Sequence, residues 1–204
     1  MPKEDTGRVE SFSDGVFAVA ITLLVLDLKV PQQRDVTADT HLWHLLAHQW
    51  PSFLAFVISF ITILIMWINH HMVMKLVQLN DGNFMLINGL LLMFITIIPF
   101  TTALLSAHIG HAGARDAIII YNGSLFAVAG MFQGFWRYAI KNERLLSSEF
   151  DRLEVKRINI QFGIGLIMYA ITFILSFILT KLSLCLCVFL TFYFLAVGLL
   201  KKRH

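Results

Sequence analysis

Arg8, Asp14 and Asp27 bracket an apolar run, Gly15 to Leu26, that is free of Asp, Glu, Lys and Arg. A helix crossing hydrocarbon wants about 20 apolar residues, so this run is too short for a segment surrounded only by lipid. Charges near a bilayer core are costly unless they face protein or water. The pattern predicts a helix that sits inside a bundle and lines a path, with Arg8, Ser13 and Asp14 at one end and Asp27 at the other.

Other groups capable of chemistry are thinly spread. The charge-free runs hold scattered Ser, Thr, Asn and His with no pairing of acid and base, so an enzyme is not expected. His70 and His71 are adjacent, and on a helix their rings diverge by about 100°, which prevents joint chelation of one ion. His41, His44 and His48 have i, i+3, i+7 spacing, and His108 and His111 form a weaker group, but neither set has carboxylate or cysteine company. No metal and no cofactor is expected. Cys185 and Cys187 read as buried apolar residues whose thiols point about 200° apart.

The elements that position these residues follow from composition. At 204 residues, 57% hydrophobic and 14% charged, the chain is too apolar for a soluble domain. Five further uncharged runs follow the first: Pro51 to Met74, Gly82 to Ala114, Ala117 to Trp136, Ile158 to Thr180 and Leu182 to Leu200. Each is near or above the length of about 18 residues that a spanning helix needs. The expectation is an all-α membrane protein, one unit over 1–204 with six transmembrane helices. Charge from Arg8 to Asp14 argues against a cleavable signal peptide there.

With a cytoplasmic N-terminus, the inner side receives 12 basic residues, from Lys3 and Arg8 to the Lys201-Lys202-Arg203 tail. The outer side keeps 4, namely Lys29, Arg34, Arg115 and Lys181. The positive-inside rule then places both termini in the cytoplasm. The basic balance needs no nucleic acid, because such residues meet anionic lipid headgroups.

Between the spans, Leu42, Leu45 and Leu46 form a short amphipathic stretch expected to rest on the bundle, and Asn80-Asp81-Gly82 reads as a tight turn. Pro99 should kink the third helix, with Thr96, Thr101 and Thr102 available to satisfy the freed carbonyl. The charged segment Lys141 to Arg157 is expected to extend the flanking helices.

On a helical wheel, Phe12, Gly15, Val19, Thr22, Leu23 and Leu26 fall within about 60° of Val19. Ser13 and Asp14 lie about 120° and 140° away. Such a stripe either lines a pore between symmetry-related copies, as a hydrophobic constriction able to strip part of an ion's hydration shell, or serves as a packing face in a monomeric bundle.

Arg8-x3-Phe12-Ser13-Asp14, opening the first of six helices, resembles the R-x-x-x-F-S-D signature of the transmembrane protein 175 family of endosomal and lysosomal potassium channels and their prokaryotic relatives. Met66-Trp67-Ile68-Asn69-His70-His71, Asn88 through Pro99-Phe100, and Phe135-Trp136-Arg137-Tyr138 are similar to the family pattern in the same order. A single six-helix repeat resembles the prokaryotic branch.

The resemblance implies a homotetrameric potassium-permeable channel in a prokaryotic plasma membrane. Its partners would be copies of itself, membrane lipids, K+ and other monovalent cations. No T-V-G-Y-G occurs, so a carbonyl-lined filter is not available. In its place, the resemblance assigns the constriction to Val19, Thr22 or Leu23, and Leu26 of four first helices. It also implies a hydrogen-bonded signature network of Arg8, Phe12, Ser13 and Asp14 with Trp67 and His70 or His71. The rival reading is a proton-coupled secondary transporter or a proton-permeable channel, with Asp14 as a relay.

Overall fold

The computed structural model describes residues 4–32, 41–143, 145–147 and 150–200. Lys3, Arg34, Arg144 and the Lys201-Lys202-Arg203 tail lie outside them. Among the described residues, six helical segments are long and apolar enough to cross a membrane. The first is α1 (Gly7–Leu23) continued by a 3-10 turn, Leu24–Asp27. A short helix, α2 (Leu42–His48), precedes α3 (Trp50–Leu76). The third span comprises α4 (Gly82–Thr96) and α5 (Ile98–His108). The rest are α6 (Ala114–Ile140), α7 (Arg152–Ile178) and α8 (Thr180–Leu200).

The helices outrun the charge-free runs. α6 includes Arg115, Asp116 and Arg137, and α7 opens on Arg152, Glu154, Lys156 and Arg157. Helical backbone bonding thus continues past the apolar runs into charged sequence. The expected extension of α6 and α7 through the charged segment is realised only in part: α6 stops at Ile140, a 3-10 turn covers Lys141–Glu143, and α7 starts at Asp151, whose carboxylate caps Leu153 N–H at 2.8 Å.

α6 is the central post. It packs against α4, α5, α7 and α8, and buries Tyr121, Leu125, Val128, Phe132, Phe135 and Trp136. Being shielded from lipid, it tolerates the lowest mean hydropathy of the six spans, 1.4. Hydroxyls and amides on its neighbours satisfy one another. Thr102 donates to Ser59 at 2.8 Å, Ser59 and Tyr121 share a bond of 3.0 Å, Thr62 meets Thr191 at 3.2 Å and Asn122 donates to Ser183 at 3.2 Å. Interhelical bonds of this kind contribute roughly 1 kcal/mol each in a bilayer.

Ahead of Pro99 the helical hydrogen-bonding is interrupted at one residue, Ile97, which keeps helical dihedrals (φ −78°, ψ −23°), so α4 and α5 remain one span, Gly82–His108. Ile97 N–H reaches Phe94 O at 3.3 Å, the last turn of α4, and α5 begins at Ile98. The nearby threonines do not bond the carbonyl that the proline frees. Thr96 donates to Met93 O, while Thr101 and Thr102 donate to Ile98 O, each a local bond of the i−3 or i−4 type.

The start of α1 and the α3–α4 connection are tied by short strands that hydropathy did not signal. β1 (Glu4–Asp5) pairs antiparallel with β2 (Leu79–Asn80), and Thr6 Oγ1 donates to Val77 O at 3.2 Å. Asp81 is the N-cap of α4, accepting from Phe84 N–H at 2.8 Å, and it also accepts from the Tyr138 hydroxyl. α2 stands apart: Leu45 and Leu46 are half-buried, while Leu42 and Trp43 are exposed. Cys187 is buried as expected but Cys185 is exposed, because residues two apart on a helix face nearly opposite sides.

Asp81→Ala should destabilise the protein by about 2 kcal/mol, combining a lost cap with the lost hydrogen bond from Tyr138. Tyr138→Phe should cost about 1 kcal/mol. Thermal unfolding in detergent checks the order, and equal effects would contradict it.

Candidate functional site

Within the single chain α1 lies at the edge of the six-helix bundle. It packs against α3, α4 and α5. Phe17, Ala20 and Leu24 enter the core, Phe17 with 1% of its surface exposed. The opposite face is open: Phe12, Val19, Leu23 and Leu26 are 64%, 56%, 42% and 75% exposed, and Gly15 and Thr22 are exposed beside them. These are the residues of the wheel stripe. Thr22 turns its hydroxyl back to Ala18 O and Val19 O at 3.0 and 2.9 Å, so the stripe carries no unsatisfied hydroxyl at that turn. Thr22 and Leu23 both stand on the open face.

The rotation of α1 is set by a polar network on its N-terminal half. Glu10 and Asp14 are one turn apart on α1, and Trp67 and His71 are one turn apart on α3. Trp67 Nε1 donates to Asp14 Oδ1 at 2.8 Å, and His71 Nδ1 lies 2.8 Å from Glu10 Oε1. The Trp67 and His71 rings stack at 5.9 Å. A second arm reaches α4. Ser13 donates to Val9 O at 2.7 Å and accepts from Asn88 Nδ2 at 3.0 Å, while Asn88 Oδ1 is 2.8 Å from His70 Nε2.

An amide oxygen can only accept, so His70 carries its proton on Nε2. Its Nδ1 is buried without a hydrogen-bond partner among the described residues, and the ring is clamped between Phe17 at 5.4 Å and Phe135 at 5.6 Å. His70 and His71 thus serve different arms of the network. At the other end of the span, Asp27 accepts from Ser106 of α5.

Arg8 stands outside this arrangement. It is exposed and makes no hydrogen bond or ion pair among the described residues, because it emerges where α1 has left the cover of α3 and α4. Phe12 is likewise on the open face and not in the network. Two members were missed as site residues in the sequence, Glu10 and Asn88. Asn88 carried a usable signal, since a lone amide in an apolar span must find an internal partner. His44 and His48 rings approach to 4.5 Å on α2, but no group of three metal-ligating side chains forms among the described residues.

The family model described as endosomal/lysosomal potassium channel TMEM175 matches residues 8–99, which contain α1, α3, α4 and the whole network. A potassium channel of Chamaesiphon minutus is 47% identical over 192 residues, 94% of each chain. The chain belongs to the TMEM175 family. A potassium channel of Streptomyces collinus is 39% identical over 181 residues, covering 88% of this chain and 86% of its own length. In three dimensions the fold matches the crystal structure of a lysosomal potassium-selective channel TMEM175 homolog from Chamaesiphon minutus. The TM-score is 0.84, with 44% identity and 98% of each chain covered. Every residue of the network lies within the matched range.

Asn88→Ala should be the most damaging single change in the network, because it strands the fully buried His70 Nε2–H, at about 1–3 kcal/mol, and also removes the bond that Ser13 accepts while Ser13 keeps its bond to Val9 O. Asp14→Ala strands only Trp67 Nε1 and should cost less. Yield of assembled protein and thermal stability in mild detergent test the ranking.

Proposed function

We propose that four copies of this chain form one potassium-permeable channel, with α1 of each subunit surrounding a central axis. The observation that carries the reading is the open apolar face of α1, which runs its whole length although the buried core behind it is filled. One subunit offers a single narrow wall, and a closed path needs several such walls around an axis. The names of the relatives as potassium channels, at 47% and 39% identity over most of the chain, support the ion.

In this reading Val19, Thr22 or Leu23, and Leu26 make successive hydrophobic rings. From Phe12 to Leu26 the stripe carries no fixed charge, Glu10 and Asp14 being engaged by α3 behind it, while the exposed Arg8 continues the same face about one turn before Phe12. Passage is then limited by partial dehydration of the cation, and emptying of water from the rings closes the path. The network of Ser13, Asp14, Trp67, His70 and Asn88 acts as a positioning device that holds α1 at the correct rotation. The 12 to 4 distribution of basic residues orients the unit with both termini in the cytoplasm of a prokaryotic cell.

Val19→Ala and Leu26→Ala should raise single-channel conductance and move potassium over sodium selectivity toward unity, and Leu23→Asn should do so more strongly. Phe17→Ala should instead lower stability, since Phe17 packs in the core against His70. Bi-ionic reversal potentials in planar bilayers read the selectivity. Flux that saturates with fixed stoichiometry to protons, in place of ohmic currents, would favour a transporter and overturn the channel reading.

A further inference from the structure

α2 follows the first span and leads directly into α3, on the side of the bundle away from the α3–α4 connection. Its Leu45 and Leu46 are half-buried, while His44 and His48, one turn apart, share an exposed side of the helix. Their ring centroids are 4.5 Å apart with the planes at 67°. The histidines elsewhere in the bundle are engaged: His70 and His71 by Asn88 and Glu10, and His108 and His111 through Nδ1 by the carbonyls of Leu104 and Ile109. His44 and His48 make no hydrogen bond or ion pair among the described residues, so their ring nitrogens are free.

Two histidines at i, i+4 on one helix face are the spacing with which H-E-x-x-H holds a single zinc ion. An ion bound at about 2.0–2.1 Å to one nitrogen of each ring needs those nitrogens within about 4 Å of each other. Rings already 4.5 Å apart on an exposed face meet that condition by rotating about their side-chain bonds. Residues 41–50 contain no Lys or Arg to repel a cation. The lack of a carboxylate or cysteine beside them argues against a closed four-ligand structural site, but an open site completes its shell with water. Imidazole favours Cu2+, Ni2+ and Zn2+ over Mg2+ and Ca2+, which take oxygen ligands.

We propose that His44 and His48 form an open two-histidine site for a divalent transition-metal ion, with Cu2+ bound most tightly of the series. The ion staples the two turns of α2. A helix of 7 residues has little stability of its own, so the bound ion orders this segment. The site lies apart from the α1 stripe and does not rest on what the protein conducts.

Cu2+ titration of the assembled, tag-free protein, read by electron paramagnetic resonance, tests this in a Cys185→Ser background that removes the exposed thiol. The expected result is one more Cu2+ per subunit than in a His44→Ala/His48→Ala double variant, with a spectrum showing coupling to two imidazole nitrogens. Either single variant should weaken binding about a hundredfold, the gain that a second tethered ligand supplies. Zn2+ should displace the Cu2+ when in excess, and Mg2+ should not. His108→Ala should leave the signal unchanged.

Equal Cu2+ binding by the parent and the double variant, or coupling to a single nitrogen, would overturn the proposal. If a variant fails to assemble, modification of the unsubstituted protein by diethyl pyrocarbonate decides the matter. Cu2+ should protect His44 and His48 together, as read by mass spectrometry of their peptide, and modification that is the same with and without Cu2+ would contradict the site.

Discussion

The rotation of α1 about its own axis is the constraint on which the functional reading depends. A turn of about 160° would exchange the stripe centred on Val19 with the buried Phe17. Two ladders oppose that turn. Glu10 and Asp14 are held by His71 and Trp67 on α3, and Ser13 is held through Asn88 by His70, so α1 is fixed from two directions. Each bond is modest, but slippage of the helix would strand several partially or fully buried polar groups together, and that cost is large in a low-dielectric setting. The network therefore acts on function through geometry. Its members need not touch an ion.

The remainder of the bundle supports this arrangement by the same rule of internal satisfaction. Within hydrocarbon, polar groups must find protein partners. Ser59, Thr102 and Tyr121 bond one another across α3, α5 and α6, and Thr62 with Thr191 joins α3 to α8. These contacts lock α3, and α3 carries Trp67, His70 and His71. The pairing of Glu4–Asp5 with Leu79–Asn80 attaches the start of α1 to the α3–α4 connection. The open face of α1 is thus backed by a rigid scaffold instead of being a loosely attached edge.

Much of this was legible before the structure, and for identifiable reasons. Long uncharged runs announce spanning helices because lipid excludes charge, so the six spans could be read directly. The 3.6-residue period fixed which side chains of α1 share a face, and the open face has that membership. Other features depend on tertiary partners that no local pattern encodes. The position of α1 at the bundle edge, the absence of Arg8 from the network, and the presence of Glu10 and Asn88 in it all follow from how α3 and α4 pack. The two-residue strands are too short for any periodicity to reveal. The interruption at Ile97, two residues before Pro99, is the local mark that a proline inside a span leaves on the helical ladder.

The central claim is that the open face of α1 lines an aqueous path for ions. Thiol modification during recording tests it most directly, using a Cys185→Ser background to remove the exposed native thiol. Leu26→Cys on the stripe is compared with Ile174→Cys on the exposed outer face of α7. The account predicts that a charged, membrane-impermeant methanethiosulfonate rapidly changes the current through Leu26→Cys and leaves Ile174→Cys unaffected. An inert Leu26→Cys together with a reactive Ile174→Cys would place the path elsewhere and contradict the account.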